Sequence, residues 1–237
     1  MKQRKFSEFS LLQHLPRDTS RFSSASEMYN FVVFGASGVG KSAIIDRLVN
    51  NDFCDNYLPT ISEVYDRRIV PRDSKHEVQV RLFDTCGSQS FPAMERLTIN
   101  QGQAFIVVYS VDSAKSLTAA KTYLDKIMDV KKGSSNTPCI LLANKSDRTD
   151  REVTFEHGLQ TAVSYRCAFV ETSAKLDTNI DDLLYSLLKK LHKLEYLEYV
   201  REKKACKEKR RQHRSSSLMN IFGPLRTSCS MDSLASV

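Results

Sequence analysis

The chain has 237 residues, of which 41% are hydrophobic, and its formal net charge is +7. This length predicts one buried domain with flanking segments, and no apolar run reaches the roughly 18 residues that cross a bilayer. Eleven Lys and Arg against four Glu at 189–214 account for the whole net charge, so the rest of the chain is neutral and gives no sign of a nucleic-acid surface.

The N-terminal extension and the cysteines both bear on the cellular compartment. Residues 1–28 are polar and Ser-rich and are predicted to be largely disordered. They contain no continuous apolar stretch before a small-residue cleavage site, so we expect no secretory signal and a cytoplasmic or peripheral protein. The six cysteines are scattered without a CxxC pair and are expected to be reduced.

From residue 28 onward, short and almost wholly apolar runs alternate with helix-period segments. Such runs predict strands buried on both faces, and their alternation with helices predicts a mainly parallel sheet covered on both sides. The strands are predicted at 29–35, 78–84, 104–111, 138–145 and 168–173, and the helices at 41–50, 115–131, 155–165 and from 179 onward. The run at 63–70 follows no helix and is predicted to pair with 78–84 as a hairpin, which makes the sheet mixed.

The last helix is predicted to continue well past residue 195. Its apolar face contains Leu183, Leu184, Leu187, Leu188 and Leu191, after which the sequence becomes mostly charged. Beyond Arg214 the sequence predicts a disordered tail. The expected organisation is therefore an extension over 1–28, a folded domain over 29–195, and a basic helical extension with a disordered tail over 196–237.

The first predicted strand is followed directly by GASGVGKS, residues 35–42, which matches GxxxxGK[ST]. In such a loop the backbone N–H groups cradle phosphates, the lysine reaches the terminal phosphates, and the serine hydroxyl binds Mg²⁺. A chance glycine-rich turn is the alternative, but the strand before the motif and the helix after it favour nucleoside triphosphate binding. The predicted phosphate-binding residues are Gly35, Ala36, Ser37, Gly38, Val39, Gly40, Lys41, Ser42 and Ala43.

Two further segments at the ends of predicted strands indicate which base is bound. In NKSD, residues 144–147, the Asp147 carboxylate can accept hydrogen bonds from the guanine N1–H and 2-amino groups, a pattern that adenine cannot offer. NKxD alone is a weak signal, with an ordinary polar loop as the alternative. In ETSAK, residues 171–175, the Ala174 N–H is placed to donate to the guanine carbonyl and the Lys175 side chain to stack along the base. The predicted base-binding residues are Asn144, Lys145, Asp147, Ser173, Ala174 and Lys175.

The motifs GASGVGKS, DTCG (84–87), NKSD and TSAK stand in this order, and with them the chain resembles the Ras-like small GTPases over about residues 29–195. Within that family, GSQSFPAMERL at 87–97 most resembles the Di-Ras branch. The resemblance implies an α/β fold, the P-loop NTPase G domain, with three layers, a six-stranded mixed and mostly parallel sheet, and five helices. It also implies GTP, GDP and Mg²⁺ as ligands, and effectors, exchange factors and activating proteins as partners in signal transduction.

The same resemblance assigns roles to the segments that differ between the GDP and GTP states. YLPTISEVY at 57–65 corresponds to the effector segment, and effectors are expected to contact it together with the switch at 84–97. Thr60 is implied as a Mg²⁺ ligand beside Ser42, Asp84 as a ligand through a water, Gly87 as a γ-phosphate contact, and Phe53 as the aromatic packing edge-on to guanine. The implied catalytic residues are Lys41, Thr60, Gly87 and Ser88.

Ser88 departs from the family pattern, which places a water-positioning glutamine after the DxxG glycine. A serine hydroxyl on one carbon is too short to hold the water, and the Ser37 side chain, where Ras has glycine, crowds the γ-phosphate. We therefore expect a GTPase that hydrolyses GTP to GDP and phosphate slowly. The alternative is a constitutively GTP-bound adaptor with negligible hydrolysis; a nucleotide-free pseudo-GTPase is disfavoured because the P-loop and base motifs are intact.

The basic segment KKACKEKRRQHR, residues 203–214, is a candidate for contact with anionic membrane. Cys206 within it is a candidate for palmitoylation, since SLASV at the end carries no prenylation cysteine. A nuclear localisation cluster, a calmodulin-type helix and a solvated helix face are the alternatives. The expected location is peripheral at the inner face of the plasma membrane, with the nucleus as the alternative, and phosphorylation at Ser215–Ser217 would weaken lipid attraction.

Overall fold

The structure of the chain is a computed structural model that describes residues 28–54, 62–70, 77–87, 92–132 and 137–221. Residues 1–27 of the predicted N-terminal extension and the switch positions Thr60 and Ser88 lie outside the described residues, while Met28, also assigned to the extension, is the first residue of a strand. The chain divides after Lys193 into two compact units, Met1–Lys193 and Leu194–Val237. No helix in the described ranges combines the length and the apolar character needed to span a membrane.

The strands form one six-stranded sheet. They are β1 (Met28–Gly35), β2 (Ser62–Ile69), β3 (Val78–Thr85), β4 (Ala104–Ser110), β5 (Cys139–Asn144) and β6 (Ala168–Glu171). Their order across the sheet is β2-β3-β1-β4-β5-β6. Strands β2 and β3 are antiparallel, from Ser62 opposite Thr85 to Ile69 opposite Val78, and all other neighbours are parallel. The predicted mixed, mostly parallel sheet is confirmed.

Five helices in the described ranges accompany the sheet. They are α1 (Lys41–Asn50), α2 (Pro92–Gln101), α3 (Ala114–Val130), α4 (Phe155–Ser164) and α5 (Asp182–Ile221). The apolar periodicity had not revealed α2, because Glu95 and Ile99 are its only buried residues among those described. The family resemblance had implied the fifth helix, and the α/β architecture of the P-loop NTPase G domain is as expected.

Helix α5 differs from the prediction at both ends. It begins at Asp182, not at Asn179, and it continues through Ile221, past Arg214 where the tail was expected to begin. No glycine or proline interrupts the sequence between these ends, while Gly223 and Pro224 follow after Phe222. Serine lowers helix propensity only slightly, so the helix continues through Ser215–Ser217. Glycine and proline, which do end helices, come only after Ile221 in the sequence.

The core of the first unit consists of two apolar clusters, one on each face of the sheet. Alternate side chains of β1 point to opposite faces: Phe31 and Val33 belong to one cluster, and Val32 and Phe34 to the other. Residues of α1 and α5 cover the first face, and residues of α2, α3 and α4 cover the second. The three-layer arrangement is therefore confirmed, and it leaves the carboxyl edge of the parallel strands for ligands.

Candidate nucleotide-binding site

The glycine-rich loop between β1 and α1 adopts the conformation that phosphate binding requires. Gly38 and Gly40 have φ angles of 76° and 93°, a region that L-residues rarely adopt. A side chain on Gly40, the N-cap of α1, would also strike the Asn144 side-chain amide. Gly40 offers no side chain to cap α1, so the N-terminal end of that helix, with its partial positive charge, suits an anion.

Asn144 joins the phosphate loop to the base-recognition loop. Its side-chain Nδ2 donates to the Val39 carbonyl over 2.8 Å, and its Oδ1 accepts from the Ala174 N–H over 3.2 Å. Asn144 is buried at the end of β5, so the sheet fixes the direction of its side chain. One amide side chain therefore sets the distance between the two predicted halves of the site.

Lys41 is the buried cation of the phosphate loop. Its Nζ donates to the Ala36 carbonyl over 2.9 Å, so the side chain folds back across the loop. Burial lowers the pKa of Lys41, and the negative charge of Asp84 offsets part of that effect. An ammonium that has little contact with water is stabilised by a phosphate more than an exposed one would be.

Asp84 and Ser42 meet where the metal is expected. Ser42 Oγ donates to Asp84 Oδ2 over 2.6 Å, while Asp84 Oδ1 has no hydrogen-bond partner among the described residues. The carboxylate is fully buried, and this burial raises the pKa of Asp84. A buried oxygen without a partner beside a hydroxyl suits Mg²⁺, which prefers oxygen ligands. The predicted ligands Ser42 and Asp84 thus fit the ion.

Gly87 lies directly against the phosphate loop. A Cβ atom on Gly87 would come within 2.5 Å of the Ser37 backbone nitrogen and 2.6 Å of Lys41 Nζ. Only glycine allows the backbone to approach this closely. The segment that follows β3 is thereby held at the loop where the terminal phosphate is expected.

At the other end of the site, Ser173 orients the aspartate that is predicted to recognise guanine. Ser173 Oγ donates to Asp147 Oδ1 over 2.5 Å and accepts from the Leu176 N–H over 3.1 Å. Ser173 is buried, whereas the Asp147 side chain is exposed. The N–H of Ala174, predicted to donate to the guanine carbonyl, donates to Asn144 in this structure, so its contact with the base stays a prediction.

Lys145 and Lys175 flank the expected position of the base. Lys145 has a φ of 61°, and its Nζ lies 3.9 Å from the Asp112 carboxylate, which also pairs with Arg148 at 3.0 Å. Lys175 is exposed. Asp112 was not among the predicted site residues, but its carboxylate attracts the side chain of Lys145, which was predicted.

Arg47 is a second residue that sequence motifs did not reveal. Its Nε donates to the Ala174 carbonyl over 2.9 Å, and its guanidinium lies 5.7 Å from the centre of the Phe53 ring. Arg47 therefore connects α1 to both the base-recognition loop and the aromatic predicted to pack against guanine. No local pattern marks it, because both contacts depend on the tertiary fold.

The described residues bring together almost every predicted nucleotide contact at the carboxyl edge of the sheet. Thr60, Ser88 and residues 57–61 of the effector segment lie outside the described ranges, so their roles stay predictions. The described part of that segment belongs to β2, where the Tyr65 hydroxyl donates to the Glu63 carboxylate. On α2, Met94 and Leu97 are 60% and 51% exposed, which places two apolar side chains on the surface of the predicted switch.

Comparison with known proteins places this site in a family context. The sequence profile of the Ras family matches residues 30–193. The GTP-binding protein Di-Ras1 of Homo sapiens is 42% identical over 163 residues, which is 69% of this chain and 81% of Di-Ras1. The GTP-binding protein Di-Ras2 of Pongo abelii is 42% identical over 164 residues, 69% of this chain and 81% of its own. The GTP-binding protein drn-1 of Caenorhabditis elegans is 41% identical over 162 residues, 68% and 74% of the two chains.

Proposed function

The chain belongs to the Ras family, and from that premise we propose that it is a signalling switch whose GTP hydrolysis is slow. Proteins of this family are GTPases that bind GTP or GDP with Mg²⁺, and the chain is a Ras-type small GTP-binding protein related to Di-Ras. The finer proposal concerns the lifetime of the GTP-bound form. It rests on the residue that follows Gly87.

Ser88 is the observation that carries the proposal. In Ras proteins a glutamine at this place orients the attacking water. The protein forms no covalent bond to the phosphate, so catalysis depends on this positioning and on stabilisation of charge. Gly87, the residue before Ser88 in the chain, packs tightly on the phosphate loop, where the γ-phosphate is expected. A hydroxyl on one carbon still cannot span the distance that a long amide covers.

The remaining residues support binding of the nucleotide and its metal. Ser42 and Asp84 would hold Mg²⁺, which when bound neutralises charge on the phosphate oxygens. Lys41 and the N-terminal N–H groups of α1 bind and orient the phosphates, and Asn144 holds the base loop at the right distance. Because these residues bind the nucleotide and no glutamine amide at position 88 positions the water, we expect the GTP complex to be long-lived.

A single-turnover assay tests the proposal. The full chain is loaded with labelled GTP, Mg²⁺ is added, and phosphate release is followed beside a glutamine-containing Ras protein. We expect wild-type release to be slower by about tenfold or more, because one lost water-orienting contact costs about 1.4 kcal/mol or more of transition-state stabilisation. Ser88→Gln should accelerate release, whereas the matched control Ser90→Gln should not.

Two outcomes would change the proposal. A wild-type rate equal to that of the Ras protein contradicts slow hydrolysis. Complete absence of turnover, together with GTP on the protein recovered from cells, favours the second candidate function, a constitutively GTP-bound adaptor. The Ser37 side chain favours that candidate specifically, because its backbone lies beside Gly87 and its side chain restricts access for an activating protein.

We further propose that effectors bind residues 57–65 and 84–97, and that exchange factors and activating proteins use the same switch. Met94 and Leu97 supply exposed apolar area there, and Val64 on the edge strand β2 is exposed as well. Exposed apolar side chains on elements that adjoin Gly87 in the sequence or pair with the strand before it suit a partner that distinguishes the two nucleotide states. Alanine at Met94 and Leu97 should weaken capture of such partners without affecting nucleotide affinity.

For the C-terminal part we propose attachment to anionic membrane through 203–214, with Cys206 as the acylated residue. Seven Lys and Arg within 203–214 support this, because each basic residue near the surface contributes about 1 kcal/mol. The proposed location is the inner face of the plasma membrane, with the nucleus as the alternative. In this organisation residues 29–195 bind nucleotide and residues 196–237 determine location.

A further inference from the structure

Two cysteines meet at the edge of the sheet opposite to the nucleotide site. Cys139 begins β5, and Cys167 directly precedes β6. Ile140 and Ala168 are register partners in this parallel pair, so the residues one step earlier lie side by side. Neighbouring strands are about 4.8 Å apart. That separation falls within the range of about 4.4–6.8 Å between Cα atoms that a disulfide spans.

The two thiols also contact each other. Both side chains belong to the same apolar cluster, and the interaction between the two thiols lowers the pKa of Cys167 while it raises the pKa of Cys139. The charge of Lys190 lowers the pKa of Cys167 further. Cys167 is therefore the member of the pair that ionises first, and a thiolate is the reactive form.

Exposure to solvent also marks Cys167 as the more reactive cysteine of the two. Cys139 is only 8% exposed, whereas Cys167 is partly exposed. An oxidant in solution can therefore reach Cys167, whereas Cys139 is buried beside it on the neighbouring strand. This is the arrangement of an attacking and a resolving cysteine. The described residues contain no group of three His, Cys, Asp or Glu side chains that could hold a metal, so a metal does not explain the pair.

We propose that Cys139 and Cys167 form a redox-sensitive dithiol that a peroxide closes to a reversible intramolecular disulfide. The Cys167 thiolate attacks one peroxide oxygen, the O–O bond breaks, and the products are a Cys167 sulfenic acid and one water. The Cys139 sulfur then attacks the sulfenic sulfur, the S–O bond breaks, and a second water leaves. Two thiols and one hydrogen peroxide thus give one disulfide and two waters, and a thiol reductant reverses the reaction.

Peptide mapping of the full chain tests the proposal. The purified protein, loaded with GDP and Mg²⁺, is treated with a few equivalents of hydrogen peroxide, the remaining thiols are alkylated, and the digest is analysed without reduction. We expect a cross-linked pair of peptides that contain Cys139 and Cys167, and we expect dithiothreitol to abolish it. The exposed Cys54 should remain alkylated at the same peroxide dose.

A variant traps the intermediate. In Cys139→Ala the resolving thiol is absent, so a dimedone adduct should accumulate on Cys167 at least tenfold above the wild-type level. Cys54→Ser is the matched control and should still form the cross-link. Oxidation of wild-type Cys167 to sulfinic acid without a cross-link to Cys139 would overturn the proposal, and so would a Cys167 that peroxide leaves reduced. The wild-type map decides the matter even if the variant folds poorly.

Discussion

Ser173 shows how one buried hydroxyl controls the predicted specificity group. It donates to Asp147 and accepts from the Leu176 N–H, so its removal frees the carboxylate and leaves that N–H without its partner. Hydrogen bonds to charged groups contribute about 1.5–3 kcal/mol. Ser173→Ala should therefore accelerate release of a fluorescent GDP analogue by about tenfold or more. A stopped-flow measurement checks it.

The control for Ser173 is a serine outside the site. Ser186 lies on α5, and its hydroxyl donates to the Asp182 carbonyl. Ser186→Ala should leave the release rate within about twofold of wild type. Equal rates for the two variants would show that Ser173 does not organise the base-recognition loop.

Single residues of the site divide into those that the sequence reveals and those that it does not. The motif residues from Gly35 to Ser42 are local, because consecutive residues build one loop, and their spacing is legible in the sequence. Arg47 is different, since its bond to the Ala174 carbonyl joins residues 127 positions apart. Only the tertiary fold, which brings α1 next to the loop that follows β6, creates that contact, and no window of sequence contains it.

At the scale of elements, an ion pair connects α2, the helix of the predicted switch, to α3. Lys126 Nζ lies 2.7 Å from Glu95 Oε2, and the Glu95 side chain is only 6% exposed. Lys126→Met leaves a buried carboxylate without its cation and should lower the free energy of unfolding by about 2 kcal/mol. Urea denaturation of the GDP-bound protein measures the change.

Two further variants make this prediction sharper. Replacing both partners by methionine should restore stability to within about 1 kcal/mol of wild type, because an apolar pair of similar volume avoids the buried charge. Lys132→Met is the matched control: its partner Asp129 is exposed, and surface pairs contribute about 0–1 kcal/mol. A double variant no more stable than Lys126→Met alone would show that the buried charge is not the cause.

A second contact between elements predicts a dependence on pH. The Tyr165 hydroxyl at the end of α4 donates to Asp125 of α3 over 2.8 Å, and burial together with this bond raises the pKa of Tyr165 to about 12. An ordinary tyrosine titrates near 10. Because the folded state favours the protonated hydroxyl, its stabilisation is complete below about pH 10 and is lost as the pH rises to about 12.

Tyr165→Phe removes this contribution. Wild type should exceed the variant in free energy of unfolding by a constant amount between pH 7 and about pH 9, and the difference should shrink between about pH 10 and pH 12. Urea denaturation of both proteins at each pH measures it. A difference that stays constant up to about pH 12 would contradict the role of the Asp125 bond.

Helices α2 and α5 mark the limit of what sequence patterns predict for elements. Helix α2 buries little, so its apolar period is weak and the family resemblance alone implied it. The end of α5 was placed too early because a change in composition after Arg214 resembled the start of a tail. Glycine and proline end helices, whereas a change in composition does not. The first glycine and proline after the start of α5 are Gly223 and Pro224.

At the scale of the whole molecule, the two compact units predict that nucleotide binding and location separate. The core leucines of α5 all precede Lys193, so a chain ending at residue 193 keeps the whole apolar interior of the first unit. We expect its GDP affinity to stay within about twofold of the full chain and its melting temperature to fall by only a few degrees. Binding to phosphatidylserine vesicles should be lost.

Vesicle sedimentation of both chains at low and high salt makes this test complete. Binding through basic residues weakens with salt, because the attraction is screened. A full chain with 203–214 neutralised to glutamine is the matched control and should behave like the shortened chain. Retention of vesicle binding by the shortened chain would place the membrane contact in residues 1–193, and retention by the neutralised chain would place it outside 203–214.

The bridge made by Asn144 has a consequence for how a bound nucleotide escapes. One side chain is hydrogen-bonded to the phosphate loop at Val39 and to the base loop at Ala174. Opening of either loop breaks a hydrogen bond of this one side chain, so we expect the two openings to be coupled and the amide protons of both loops to exchange with deuterium in a single kinetic phase. Escape then has one barrier and not two, and a regulator that displaces this one amide would loosen both ends of the ligand at once.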